Sequence, residues 1–145
     1  MKAFRWFEQR LASSASEHER MNILIAMGSF KNKELVERVL EYTLETVPNR
    51  NKFIPVNAVS SNPYGAPHLW GWYIKELNRL EQLHPLHYER IVSGVITLGG
   101  LGRQDEVMTF FQEYMKQKGL ASETIKLSLE RLEINTRMRL QQMEN

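Results

Sequence analysis

The sequence predicts an all-α fold of about eight helices, and three observations carry that prediction. Apolar residues recur at three- and four-residue spacing along almost the whole chain of 145 residues. The stretches with that spacing are separated by prolines, glycines and small polar residues that start or stop helices. Only residues 91–97 also read as a strand, and no second strand exists to pair with them, so the helical reading is preferred there. Short connections force neighbouring helices to be antiparallel, which leaves a closed bundle or a solenoid slab. No fixed-period repeat is present, so the solenoid reading rests on the number of helices.

The elements follow in order. Phe4, Phe7 and Leu11 define a first helix, ended by the small polar run Ser13-Ser14-Ala15-Ser16. Ser16 and Glu19 form a capping-box signature, in which the serine accepts from the glutamate amide and the glutamate reaches back. Met21, Leu24 and Ile25 then line one face, and Gly28 is expected to close that helix in the left-handed conformation. Asn32 caps the next helix, whose stripe is Val36, Val39, Leu40, Thr43, Leu44 and Val47 before Pro48 stops it. Asn51 is read as the cap of a short helix from Lys52 to about Ser60, with Pro55 tolerated in the first turn. After the turn Ser61-Asn62-Pro63-Tyr64-Gly65, Pro67 opens a helix with Trp70, Tyr73, Ile74, Leu77 and Leu80 on one side. Pro85 separates it from the helix of Tyr88, Ile91, Val92, Val95 and Ile96, where Gly94 costs about 1 kcal/mol relative to alanine. Gly99, Gly100 and Gly102 read as a flexible connector. Val107, Phe110, Phe111, Tyr114 and Met115 make a helix closed by Gly119, and Ser122 is read as the cap of the last, striped by Ile125, Leu129, Leu132 and Leu140.

Composition excludes several function classes. With no cysteine, the chain has no disulfides, thiolate zinc site, iron–sulfur cluster or cysteine nucleophile. A formal charge of +2 is too small a surplus to mark a nucleic-acid partner. Residues 1–50 hold eight basic and seven acidic side chains, 51–100 hold four and three, and 101–145 hold seven and seven. The middle is therefore charge-poor and carries four of the five prolines, five of the eight glycines, and Phe53, Tyr64, Trp70, Trp72, Tyr73 and Tyr88, as a buried segment or a contact surface would. No stretch has the roughly 18 apolar residues of a membrane span, and the start lacks a signal h-region, so a cytoplasmic location and no membrane partner are expected.

No constellation assembles a catalytic centre. His18-Glu19-Arg20-Met21-Asn22 falls short of H-E-x-x-H because Asn22 stands where the second zinc-binding histidine must be. His84 and His87 have no nearby acidic ligand and read as an interhelix turn. The Gly99–Gly102 loop lacks the strand and the Lys-Ser/Thr of a phosphate loop. Among the aromatics, helical spacing puts Trp70, Tyr73 and Ile74 in the core and leaves Tyr64 and Trp72 as exposed contact candidates. No catalytic residue and no metal ligand is assigned, and the residues argue for a binding or structural module.

Three strings, in order and spacing, carry a family resemblance: Asn62-Pro63-Tyr64-Gly65 with Trp70, then Glu106-Val107 with Phe110-Phe111, then Glu133 with Asn135. They resemble the N-P-x-G turn, the E-V-x-x-F-F helix and the closing E-x-N helix of the C-terminal helical domain of the aminopeptidase N family of zinc aminopeptidases. The resemblance spans roughly residues 17 to 140. It implies a superhelix of ARM/HEAT-like antiparallel pairs that encloses a peptide chamber, and a chain (1–145) that is the second half of such a domain, its catalytic domain being elsewhere. It implies no cofactor in this chain and zinc in the catalytic domain of the parent, whose H-E-x-x-H and G-x-M-E-N motifs are absent here. The expected partners are the parent's catalytic and neighbouring domains and a peptide substrate, with Lys31, Tyr64 and Trp72 as the substrate-facing side chains. Where many relatives carry arginine before the turn this chain has Ser61. Near Ser29, where some members hold the peptide carboxylate, Lys31 is the closest cation. A freestanding helical-repeat adaptor is the alternative. A solenoid cut at a repeat exposes an apolar end, and Phe4, Trp6 and Phe7 are the expected uncovered face, through which the isolated chain would self-associate.

Overall fold

Residues 2–144 are described by a computed structural model, and among them the chain forms eight α-helices and no strand. These are α1 (Lys2–Ser13), α2 (Glu17–Met27), α3 (Lys33–Glu45), α4 (Phe53–Ser61), α5 (Ala66–Leu80), α6 (Pro85–Thr97), α7 (Gln104–Lys118) and α8 (Ser122–Glu144). A single 3-10 turn, Asn49–Asn51, precedes α4.

Local chemistry sets most of the boundaries. Ser16 accepts from the Glu19 amide at 3.2 Å, but the Glu19 carboxylate is taken by Arg10 at 3.1 Å, so half of the capping box forms. Asn32 accepts from the amides of Glu34 and Leu35 and starts α3. Gly119 ends α7 at φ 63°, the left-handed conformation that glycine adopts without strain. Three expected boundaries are corrected. Gly28 closes α2 at φ −77°, so its freedom at positive φ is unused. Asn51 lies in the 3-10 turn and donates to Glu17, while Lys52 occupies the cap position of α4. Ser122 is the first residue of α8, preceded by Ala121 at φ 54°.

The helices pack in two rows. α2, α4, α6 and α8 lie side by side in that order, while α3 and α5 pack on each other and on α4. α7 packs on α8 and meets α5 through aromatic side chains, Trp70 lying 5.4 Å from Phe110 and 5.7 Å from Phe111. The even-numbered row is held at close range by residues without bulk. A Cβ at Gly28 would lie 2.3 Å from that of Ala58, and one at Gly94 would lie 2.0 Å from Asn57 Oδ1. Gly99 and Gly100 are buried, and a Cβ at Gly100 would lie 2.9 Å from Leu132. The glycine loop is thus a packed junction with α8, not the flexible connector its composition suggests.

Several faces are rotated from the expected ones. On α2 the buried residues are Ile23, Leu24 and Met27, whereas Met21 and Ile25 are exposed, because α1 and α4 clasp α2 from a different side. Ile74 is exposed on α5, and Leu140 is exposed on α8, whose buried residues end at Leu132. Phe4 is 1% exposed, edge-on to Tyr42 and beneath the Arg38 guanidinium, and Phe7 meets Phe30. Of the expected uncovered face, only Trp6 remains substantially exposed, at 54%.

Two polar devices lie within the core. Lys52 is 4% exposed and its ammonium donates to the carbonyl oxygens of Thr43, Leu44 and Val47 at 2.5–2.8 Å. These carbonyls close α3, where a helix end leaves acceptors without partners and favours a cation. Burial, reinforced by the Arg79 charge, lowers the Lys52 pKa. The second device is a hydroxyl relay joining α5, α6 and α7. Tyr73 and Tyr88 hydroxyls lie 2.6 Å apart, Tyr88 and Tyr114 lie 2.8 Å apart, and Tyr114 donates to Glu81 at 2.7 Å. Lys118 closes the chain on Glu81 at 2.9 Å. Burial raises the pKa of all three tyrosines.

Replacing Lys52 by methionine keeps the stem but leaves three carbonyls without their donor. It is expected to lower unfolding free energy by about 2 kcal/mol in a urea titration. The relay sets a pH dependence. The unfolded chain loses tyrosine protons near pH 10, while the folded chain keeps them, so the folded state holds more protons and stability falls as pH rises. Lys52 has the opposite sign, since its lowered pKa lets the unfolded chain bind the extra proton up to about pH 10.4. Three hydroxyls outweigh one ammonium. The urea midpoint is therefore expected to be lower at about pH 11 than at about pH 9, with a smaller drop in Tyr88→Phe.

Candidate functional site

Packing the even-numbered helices in one row leaves three parallel grooves on their open side. The groove between α2 and α4 is lined by Met21, Ile25, Ser29, Phe53, Ile54, Asn57 and Ser61, and carries no charge. Phe53 and Asn57 also line the next groove, with Leu86, Glu89, Arg90, Ser93 and Thr124. Ser93 and Thr124 in turn belong to the groove between α6 and α8, with Thr97, Leu127, Arg131, Asn135 and Met138. The shared residues make the three grooves one furrow across the row. Its charges are confined to Glu89, Arg90 and Arg131, set among apolar and hydroxyl side chains.

The other row differs in chemistry. Between α3 and α5 lies a cleft lined by Glu37, Glu41, Glu45 and Glu76 together with Lys33, Lys75 and Arg103. Such a mixed surface is well solvated and already neutralises itself. Lys33 reaches Glu37 at 3.9 Å, and Arg79 reaches Glu76 at 3.5 Å. The charge-poor furrow is the surface that gains most from being covered, since apolar area is released from water at little desolvation cost.

The residues singled out from the sequence fall into three groups. Lys31 and Tyr64 are brought together, the lysine ammonium standing 5.5 Å from the centre of the exposed tyrosine ring. They sit on the α2–α3 and α4–α5 connections, each two residues beyond a residue that lines the first groove, Ser29 and Asn62 respectively. Trp72 lies apart from them. It lines the cleft between α3 and α5 and is half-buried, and its indole N–H is buried without a hydrogen-bond partner among the described residues.

The motif residues build the frame. Asn62 is 9% exposed and donates to the carbonyl oxygens of Gly28 at 3.0 Å and Phe30 at 2.7 Å, while its own oxygen accepts from the Tyr64 amide. One side chain thus satisfies the end of α2 and folds the turn that leads into α5. Pro63 is exposed in that turn, and a Cβ at Gly65 would lie 3.0 Å from Val59. Trp70 donates to Glu106 at 3.1 Å and stacks on Tyr73, and Phe110 and Phe111 pack edge-on against it. Asn135 repeats the action of Asn62 at the end of α6, donating to the Thr97 carbonyl at 2.8 Å. Glu133 pairs with Arg137 on the surface of α8.

Sequence reasoning passed over Lys52, Arg90, Arg131 and the tyrosine hydroxyls. Tyr73 and Tyr88 were legible as core residues from their spacing. Their pairing joins residues 15 apart, and Tyr88 to Tyr114 joins residues 26 apart, which no local pattern encodes. Lys52 carried one signal, an isolated lysine at the head of an apolar run.

Replacing Asn62 by alanine strands two carbonyls and one amide in a nearly closed setting. A loss of about 1–3 kcal/mol is expected on thermal or urea unfolding.

Comparison with known proteins gives a consistent result. The family model described as "ERAP1-like C-terminal domain" matches residues 2–134. The alanine/arginine aminopeptidase of Saccharomyces cerevisiae is 35% identical over 86 residues, covering 58% of this chain and 10% of that protein. The same yeast's "Aminopeptidase 2, mitochondrial" is 32% identical over 102 residues, covering 66% of this chain and 11% of that protein. The chain thus spans about a tenth of the length of these relatives. No solved structure matches.

Proposed function

The chain belongs to the ERAP1-like C-terminal domain family, the helical C-terminal part of aminopeptidase N-type enzymes, and from that membership we propose that it serves a zinc aminopeptidase as a non-catalytic wall of the peptide chamber. In this reading the chain is the second half of the C-terminal domain, and its row of even-numbered helices forms the inner face of an ARM/HEAT-like superhelix. The distal part of a peptide would run along the furrow, while the charged cleft between α3 and α5 faces water or a neighbouring domain. The observation that carries the reading is the contrast between the two rows: a continuous charge-poor furrow on one, a self-neutralised charged cleft on the other.

The donor set of this chain does not fit a catalytic zinc ion. His18 has Asn22 where a second histidine is needed. The His84 ring nitrogen is engaged with the Leu86 amide at 3.2 Å. Among the described residues no three histidine, aspartate or glutamate side chains converge. The metal and the hydrolytic step therefore belong in this reading to the parent's catalytic domain. Lys31 and Tyr64, paired with each other on the neighbouring connections, are proposed as substrate contacts. Trp72 is proposed as one only for a segment lying between α3 and α5. No helix among the described residues is long and apolar enough to cross a membrane. Self-association through α1 would rest on Trp6 alone, because Phe4 and Phe7 are turned inward.

An aminopeptidase assay on this chain with added zinc is expected to show no turnover above buffer. A labelled peptide is expected to bind in fluorescence anisotropy and to be displaced when Ile25 or Leu127 is changed to aspartate. Turnover by the chain, or binding indifferent to both substitutions, would sink the proposal.

A further inference from the structure

We infer that the furrow selects extended peptides that carry side-chain carboxylates, held by Arg90 and Arg131 between apolar contacts. The inference rests on the reading of the furrow as a peptide surface and adds the chemistry of the peptide. Arg90 and Arg131 are both exposed, and neither lies within ion-pair distance of an acid among the described residues, a state they share with Arg5, Arg50, Arg103 and Arg139 and not with Arg10, Arg20, Arg38, Arg79 and Arg137. The surroundings offer little to neutralise them, since Glu89 is the single acid lining the furrow.

Arg90 is also held in place. Its guanidinium stands 5.1 Å from the centre of the Phe53 ring, an attraction that steadies the side chain. A planar fork of that kind matches a carboxylate with two hydrogen bonds. Arg131 stands on α8 with Leu127 one turn before it and Asn135 one turn after, both lining the same groove. Neighbouring helix axes lie about 8–10 Å apart, and a peptide in the polyproline II conformation advances about 3.1 Å per residue with residues three apart on one face, so it crosses from one groove to the next in about three residues. Acidic side chains three apart would meet the two arginines in turn.

A side-chain carboxylate fits better than a chain end. The furrow continues on both sides of Arg90, toward Phe53 and Leu86 one way and toward Ser93 and Thr124 the other, so nothing stops the peptide at the cation. Arg131 is likewise flanked by Leu127 and Met138.

The test uses the 145-residue chain and fluorescence anisotropy with labelled Leu- and Ser-based peptides. One has glutamate at two positions three apart, one has glutamine there, and each is made with a free and an amidated C-terminus. The glutamate peptide is expected to bind about fivefold more tightly than its glutamine twin, with the gap narrowing in added salt and indifferent to amidation. The paired substitution Arg90→Ala with Arg131→Ala should abolish the gap while leaving the circular dichroism spectrum unchanged. Equal affinity for the two peptides, or a preference lost on amidation alone, would overturn the inference and leave the peptide furrow standing. Binding of none of the peptides would overturn both.

Discussion

Gly28 and Gly94 set how closely the even-numbered helices approach, and most of the other polar features answer to that distance. With no Cβ at either position, α2 comes against Ala58 and α6 against Asn57 at separations that a methyl group would forbid. Helices this close bury one another's ends, and a buried helix end holds carbonyls with no intrahelical partner. Each buried end therefore has a donor from elsewhere in the chain. Asn62 serves α2, Lys52 serves α3 and Asn135 serves α6.

That arrangement accounts for the placement of the family motif. The asparagine of the Asn-Pro-x-Gly turn is a latch between two connections, not a ligand, and the tryptophan five residues after the glycine anchors α5 on α7 through Glu106 and the two phenylalanines. The aromatic cluster and the tyrosine relay occupy the region between α5, α6 and α7, where they hold the second row rigidly behind the first. The first row is thereby free to present an open side with few charges. What this surface presents is a shape with few charges.

Much of the local structure was legible. Ser16, Asn32, Pro85 and Gly119 each mark a helix boundary through chemistry that acts within four residues, and the structure uses all four as expected. What failed was direction. The spacing of Met21, Leu24 and Ile25 identifies an apolar stripe on α2, but α1 and α4 cover the face of Ile23, Leu24 and Met27, and Met21 and Ile25 are left lining the furrow. Ile74 and Leu140 failed for the same reason, being apolar residues for which no neighbour arrives. Gly28 was legible as special, yet its use is to admit Ala58 and not to reach positive φ.

The sequence by itself determined that the chain is helical, roughly where each helix begins and ends, and which turn carries the family signature. These depend on interactions between residues a few positions apart, so the pattern contains them. The tertiary structure alone decided which apolar faces are covered, that Lys52 is buried, that three tyrosine hydroxyls form a chain, and that Arg90 and Arg131 stand without acidic partners on a common furrow. Those outcomes depend on which helices become neighbours and how closely they approach, and that distance is set by contacts such as Gly28 with Ala58, 30 positions apart in the chain.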